Sequence, residues 1–287
     1  MREKFNKLLE KKGIIIAPGC YDALSAKIIE NAGFECAYMT GFGSSAGLLG
    51  KPDVGLLSME EMISNATRIV NAIDIPLIAD ADTGYGNPLN IIRTVKEYEK
   101  CGVAAIHIED QVTPKRCGHM EGKEVIPAEE MAQKIKAAVD ARENTDFKII
   151  ARTDARAVLG LDEAIRRAKL YREAGADIIF VESPYTVDEF KIISHEINAP
   201  LLANMAEGAK SPMLSAKELE DLGYKIVIYP VGLLFAAAKA MLSVAKEIRD
   251  KGTDRDMLNN MTSFKEFNDF IGLSEYNGMS NKYKTEA

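Results

Sequence analysis

Two textures alternate along the chain. The first is a short, nearly unbroken apolar run: "IIIAPG" from Ile14, "CAYMTG" from Cys36, "PLIADAD" from Pro76 and "AAIHIED" from Ala104. Four more follow: "KIIARTD" from Lys148, "DIIFVES" from Asp177, "PLLANMAEG" from Pro200 and "KIVIYP" from Lys225. Runs of this length without polar alternation suit strands buried on both faces. The second texture is amphipathic and helix-length. "YDALSAKIIENAGF", "NIIRTVKEYEKCGV", "LDEAIRRAKLYREAGAD" and "SAKELEDLGYK" carry apolar residues at helical spacing and stop at Gly33, Gly102, Gly175 and Gly223. A glycine there ends a helix just before the next strand begins.

Eight strands alternating with helices imply a parallel sheet, and eight such units in this length imply a closed (β/α)8 barrel, the TIM barrel. An open doubly wound sheet would carry a Gly-rich phosphate loop after its first strand, and "APGCYDAL" is not GxGxxG. The polar tail from about residue 248 lacks another strand and is expected to leave the barrel as a helical extension. No linker separates a second domain, so residues 1–287 are expected to form one barrel domain with that extension.

Composition narrows the class. The 287 residues are 47% hydrophobic and 28% charged, which fits a globular fold with a large core. A net charge of −7 with scattered basic residues argues against nucleic acid. No apolar run reaches 18 residues and no basic-then-apolar leader opens the sequence, so neither a membrane span nor export is expected, and a cytoplasmic setting is. Cys20, Cys36, Cys101 and Cys117 form no CxxC pair or zinc-ligand spacing and read as reduced thiols.

Polar residues cluster at one end of the strands. The third ends with Asp80 and Asp82, the fourth with Glu109 and Asp110, the fifth with Arg152 and Asp154, the sixth at Glu182, and the seventh with Asn204 and Glu207. In a barrel these meet at the C-terminal rim, where active sites of this fold are built. Asp80, Asp82 and Glu109 are hard oxygen donors that suit Mg2+ or Mn2+ rather than zinc. His107, inside the fourth run, reads as a core residue, His195 as solvated, and Met59, Met62 and Met131 as core fillers. "PKRCGHME", from Pro114, follows the fourth strand and hangs Cys117 over those carboxylates. Lys115, Arg116 and His119 favour its thiolate. An idle loop residue is the bland reading; an acid/base ranks above a nucleophile, for which no orienting triad is visible.

"DADTGYGN", "HIEDQVTPKRCGH" and "IIARTDA" resemble the isocitrate lyase/phosphoenolpyruvate mutase superfamily, and within it the methylisocitrate lyase and 2,3-dimethylmalate lyase branch, from about residue 16 to about residue 246. The KRCGH loop is absent from phosphonate-forming members, so it implies the carbon–carbon lyases. The resemblance implies a Mg2+-dependent barrel (Mn2+ as the alternative) with a flexible cysteine loop. It implies Asp80 as direct metal ligand and Asp53, Asp82 and Glu109 as ligands mostly through water. Thr40, Gly41 and Phe42 correspond to an oxo-acid-binding turn with Tyr38 beside it. Arg152, Glu182 and Asn204 match substrate-binding positions. Cys117 would protonate the departing carbanion, with Lys115, Arg116, Gly118 and His119 completing the gate. A homotetramer with C-terminal helices exchanged between subunits is implied as well.

Two departures bear on the substrate, a di- or tricarboxylate. Methylisocitrate lyases carry an arginine after the eighth strand, in a pattern like "YPLSAFR"; here the stretch reads "YPVGLLF", with Phe235 in its place. A third carboxylate would then lack its partner. They also read "TEFG" where this chain has "MAEGAKSP". Both favour an alkylmalate such as 2,3-dimethylmalate, split to pyruvate and propionate. Methylisocitrate lyase, giving pyruvate and succinate, is the second expectation, and oxaloacetate hydrolase or decarboxylase the third. Hydrolases of this family use Ser or Thr near the eighth strand, where Gly232 falls. A barrel kept as a binding scaffold would need none of Asp80, Glu109, Arg152 and Cys117.

Overall fold

A computed structural model describes residues 1–118, 120 and 122–284. The elements run α1 (Arg2–Glu10), β1 (Ile15–Cys20), α2 (Ala23–Asn31), β2 (Ala37–Met39), α3 (Gly41–Leu49), α4 (Met59–Val70), β3 (Leu77–Asp80) and α5 (Pro88–Cys101). Next come β4 (Ala105–Glu109), α6 (Ala128–Ala141), β5 (Lys148–Thr153), α7 (Ala155–Leu159), α8 (Leu161–Glu173), β6 (Ile178–Val181), α9 (Val187–Glu196) and β7 (Leu201–Asn204). The chain then forms α10 (Ala216–Asp221), β8 (Ile226–Tyr229), α11 (Gly232–Lys251), a short 3-10 turn (Arg255–Asn260), α12 (Phe264–Phe270) and α13 (Leu273–Lys282). Two compact units emerge, Met1–Leu234 and Phe235–Ala287.

The first unit is the expected barrel. All neighbouring strands pair in parallel, and β1 closes on β8 through Ile15↔Ile226 and Pro18↔Tyr229. Side chains alternate along each strand, which splits the apolar residues into two cores. Ile15, Tyr38, Ile78, Ile150, Ile178, Phe180, Leu202 and Ile228 fill the barrel, and Phe5 of α1 packs into the same cluster. Leu77, Ile106, Ile149, Ile179 and Leu201 face outward against Ile69, Val95, Ile135 and Ile193 of the helices. Met62 and Met131 join this outer layer, fully buried.

Helix starts follow local chemistry. Asp22 and Ser25, Ser58 and Glu61, Asn87 and Asn90, and Ser215 and Glu218 form reciprocal capping boxes, satisfying the orphan amides of α2, α4, α5 and α10. Gly33, Gly102, Gly175 and Gly223 all have positive φ, the conformation that stops each helix before its next strand.

In the second unit, α11 continues unbroken past residue 248 to Lys251, and the 3-10 turn, α12 and α13 complete it. None of α11, α12 and α13 contains a buried residue. Among the described residues no helix is long and apolar enough to cross a membrane.

Candidate active site

Strand alternation selects the site. At the end of β4 two acids are adjacent, and pairing with β5 opposes Glu109 to Arg152. Glu109 therefore shares the barrel mouth with Arg152, whose Nε lies 3.3 Å from Glu109 Oε2. Asp110 points the other way. Its carboxylate accepts from Thr153 Oγ1 (2.7 Å), Tyr171 OH (2.8 Å), Arg167 (3.1 Å) and the Asp154 amide (2.9 Å), locking β4 to β5 and α8. Of the two acids, one faces the barrel mouth and the other braces β4 against β5 and α8.

Asp80, at the end of β3, uses both oxygens on backbone amides, Oδ2 from Gly41 (3.1 Å) and Oδ1 from Asp82 (2.9 Å). Gly41 opens α3 with Thr40 as its N-cap, and a Cβ at Gly41 would fall 2.4 Å from Asp80 Oδ2, so the turn after β2 needs glycine to reach the acid. Asp53, from the α3–α4 connection, is held in place by Ser45, whose hydroxyl donates to the Lys51 and Pro52 carbonyls. Asp82 has φ of 48°, and its carbonyl accepts from the Glu109 amide (2.9 Å), tying the β3 turn to the end of β4.

Lys115 is the first surprise. The sequence suggested a cation of the gate, but its buried ammonium reaches into the acidic cluster, 2.6 Å from Asp53 Oδ1 and 2.7 Å from Asp82 Oδ1. Burial alone would lower its pKa; the carboxylates of Asp82, Asp80, Glu109 and Asp53 outweigh that and raise it well above the ordinary lysine value. Burial pushes Asp82 up to about 6, with Lys115 opposing and Asp80 and Asp53 reinforcing. Burial likewise holds Glu109 well above the usual carboxylate range despite Arg152 and Lys115.

Arg152 sits at the centre. Its Nε and Nη2 donate to Asp154 (2.9 and 3.1 Å), its guanidinium lies 5.1 Å over the Phe180 ring, and Nη2 stands 3.4 Å from Glu182 Oε2. Glu182 in turn accepts from Asn204 Nδ2 (3.1 Å). Tyr38 and His107 lie within the barrel cluster: the hydroxyl meets His107 Nε2 at 2.8 Å, the rings stack, and Phe180 meets the imidazole edge-on. Burial pushes His107 down to about 4, so its imidazole is neutral at pH 7 and serves as a packed core residue. His195 is exposed on α9.

The cysteine loop is seated on this centre. Gln111 clamps its base, accepting from the Arg116 amide (2.9 Å) and donating to the Arg116 carbonyl (2.8 Å). The Cys117 amide donates to the Asp53 carbonyl (3.2 Å). A Cβ on Gly118 would fall 2.4 Å from Arg152 Nη2 and 2.9 Å from Glu182 Cδ. Arg116 is exposed, Cys117 half-buried, and no cysteine is in a disulfide. His119 lies outside the described residues. Since Arg152 and Glu182 are pinned by Asp154, Phe180 and Asn204, a methyl at residue 118 must lift the loop. Gly118→Ala is expected to lower kcat by on the order of 10-fold to 100-fold with little change in Tm, as misplacement of a catalytic group does; steady-state rates and a thermal melt read both.

Three contributors do not stand out in the sequence. Gln111 lay in the "EDQ" signature. Asp154, named only as a polar strand end, is the carboxylate that fixes Arg152. Lys123, downstream of the loop, is buried against Asp154 (2.8 Å). Burial would raise Asp154, but Arg152 and Lys123 outweigh it and hold it well below the usual carboxylate range. Phe235, expected at the substrate, begins the second unit and is 46% exposed.

The donor set bears on a metal. At the barrel mouth Asp53, Asp80, Asp82, Glu109, Asp154 and Glu182 are buried, and the buried cations set against them are Lys115, Lys123 and Arg152. Glu109 Oε1 has no hydrogen-bond partner among the described residues. Unbalanced, oxygen-only negative charge with an orphaned carboxylate oxygen fits a hard divalent cation. With Lys115 seated among them, no three such groups among the described residues converge closely enough to hold one.

Residues 5–249 match the phosphoenolpyruvate phosphomutase family. A 2,3-dimethylmalate lyase of Eubacterium barkeri is 51% identical, over 98% of each chain, and a 2-methylisocitrate lyase of Aeropyrum pernix 46% identical, over 94% of this chain and 87% of that one. A solved oxaloacetate acetylhydrolase bound to 3,3-difluorooxalacetate superposes with a TM-score of 0.94 at 36% identity, covering 100% of this chain and 98% of that one. A phosphonopyruvate hydrolase in complex with oxalate and Mg2+ superposes with a TM-score of 0.89 at 33% identity, over 98% of each.

Proposed function

The chain belongs to the phosphoenolpyruvate mutase/isocitrate lyase superfamily, and from that premise we propose that it is a divalent-metal-dependent lyase cleaving an alkylmalate, 2,3-dimethylmalate foremost, into pyruvate and propionate. The carbon–carbon lyase class follows the relatives named above. Mg2+, or Mn2+ in its place, held by Asp80 directly and by Asp53, Asp82 and Glu109 mostly through water, would supply the Lewis acidity that binds a 2-hydroxy carboxylate and eases loss of its hydroxyl proton.

This chain's own residues do the rest. The turn of Thr40, Gly41 and Phe42 receives the carboxylate that becomes pyruvate. As the hydroxyl proton leaves, the C2–C3 pair of electrons moves onto the departing acid as an enediolate. Arg152, oriented by Asp154 and stacked on Phe180, faces that charge from a fixed position and needs no reorganisation. Glu182 and Asn204 line the same side. The thiol of Cys117 gives its proton to C3, completing propionate, and takes back the proton lost at the hydroxyl by way of solvent. Lys115 is matched by Asp53 and Asp82, so its charge is spent on the acidic cluster rather than on the thiol.

The observation that carries this reading is the seat of the loop, with Cys117 tied to Asp53 and Gly118 against Arg152 and Glu182. The dimethylmalate preference rests on Phe235 in place of an arginine and on the 51% identity. Gly232 stands where the hydrolases of the family carry Ser or Thr, which ranks hydrolysis below cleavage. The exposed apolar residues Met241, Leu242 and Ile248 of α11 support a homotetramer with exchanged helices. The test is kcat/KM with Mg2+ for 2,3-dimethylmalate, 2-methylisocitrate and oxaloacetate. Dimethylmalate is expected to lead by at least about 10-fold, a margin of about 1.4 kcal/mol. A lead for the tricarboxylate would remove the Phe235 argument, and oxalate release from oxaloacetate as the fastest reaction would move the chain to the hydrolases.

A further inference from the structure

We infer that Lys123 is a positioning residue of the proposed lyase reaction: its ammonium ties the Gly118 carbonyl to the Asp154 carboxylate and so holds the Cys117–Gly118 segment against Arg152. The inference rests on the function proposed above and concerns how the loop is kept in register with the site.

Lys123 is not among the ligands, clamps or acids of that reading, yet its side chain is only 2% exposed. A desolvated ammonium must be matched, and both its partners belong to the site. One is Asp154 Oδ1 at 2.8 Å; the other is the carbonyl of Gly118, five residues back along the chain. Asp154 Oδ1 is the oxygen that also accepts from Arg152 Nη2, while Oδ2 accepts from Arg152 Nε. Asp154 is itself immobilised, with no exposure and its amide on Asp110. One carboxylate thus orients the cation that faces the substrate and anchors the loop that carries the thiol. Gly118 is where the two meet, its missing Cβ 2.4 Å from Arg152 Nη2.

Removing the ammonium leaves the Gly118 carbonyl without its donor and Asp154 with Arg152 alone. A purely structural lysine would be missed through stability. A positioning lysine is missed through the geometry of Cys117, and the two are separable.

The experiment compares the full-length parent with Lys123→Met and Lys123→Arg in two assays. Alkylation of Cys117 by iodoacetamide, without substrate and quantified on its peptide by mass spectrometry, reads whether the loop is seated. Steady-state kinetics on 2,3-dimethylmalate with Mg2+ read its consequence. Lys123→Met is expected to raise the alkylation rate at least about 5-fold and to lower kcat by on the order of 10-fold to 100-fold with a smaller change in KM, as a misplaced group does. Lys123→Arg is expected to recover most of both. Parent-like alkylation in Lys123→Met overturns the inference, as does a loss of kcat that Lys123→Arg does not recover. If Lys123→Met fails to fold, Lys123→Gln, a shorter polar side chain without the charge that pairs with Asp154, is read in its place with the same directions expected. Alkylation needs no substrate, so a parent inactive on dimethylmalate would overturn the proposed function while the loop test still returned its own answer.

Discussion

Cys117→Ser is expected to reduce kcat on 2,3-dimethylmalate by on the order of 10³, within the range that a positioned general acid contributes. Mg2+ affinity and Tm should stay at the parent values. Serine is close to cysteine in size, and the loop is held by backbone contacts that the substitution leaves alone: the residue 117 amide on the Asp53 carbonyl, the Gln111 clamp, and Lys123 on Gly118. What changes is acidity, since a hydroxyl gives up its proton far less readily than a thiol. Rates measured beside metal titration and a melt separate loss of the acid from loss of the site. A variant with the parent rate removes Cys117 from the mechanism.

Asp80→Asn is the second large effect. Both Asp80 oxygens accept backbone N–H groups, from Gly41 and Asp82. An asparagine offers one oxygen and one NH2, so one amide faces a donor in a buried site. Leaving such a group unsatisfied costs about 1–3 kcal/mol, which in a chain of this size lowers Tm by several degrees. Removal of the negative charge proposed to contact the metal directly should weaken Mn2+ binding by at least about 100-fold and leave turnover near background. Electron paramagnetic resonance of added Mn2+ reads the affinity apart from activity. Unchanged Mn2+ affinity would remove Asp80 from the ligand set.

The barrel was legible because its physics is local. Strands buried on both faces must be apolar throughout, helices must show one apolar stripe, and a chain returning from helix to strand needs the left-handed residue that glycine supplies. The rim was legible for a related reason: apolar runs such as "PLIADAD" and "KIIARTD" turn polar where the barrel opens. Orientation was not. In "HIED" the pattern cannot say which acid faces the mouth; the Glu109↔Arg152 register decides, and Asp110 turns to Tyr171 and Arg167. Nor could loop composition say where Lys115 points. Two residues before Cys117 in sequence, it reads as a gate cation, but the uncompensated carboxylates of Asp53 and Asp82 draw it inward. Lys123 was invisible because its meaning depends on Asp154, brought against it only by the fold.

The identity of the products bears most directly on the proposed lyase activity. Purified protein incubated with 2,3-dimethylmalate and Mg2+, followed by proton NMR, is predicted to release pyruvate and propionate in equal amounts, and EDTA is predicted to stop both. Dimethylmalate left intact under conditions in which the same preparation turns over another acid would contradict it.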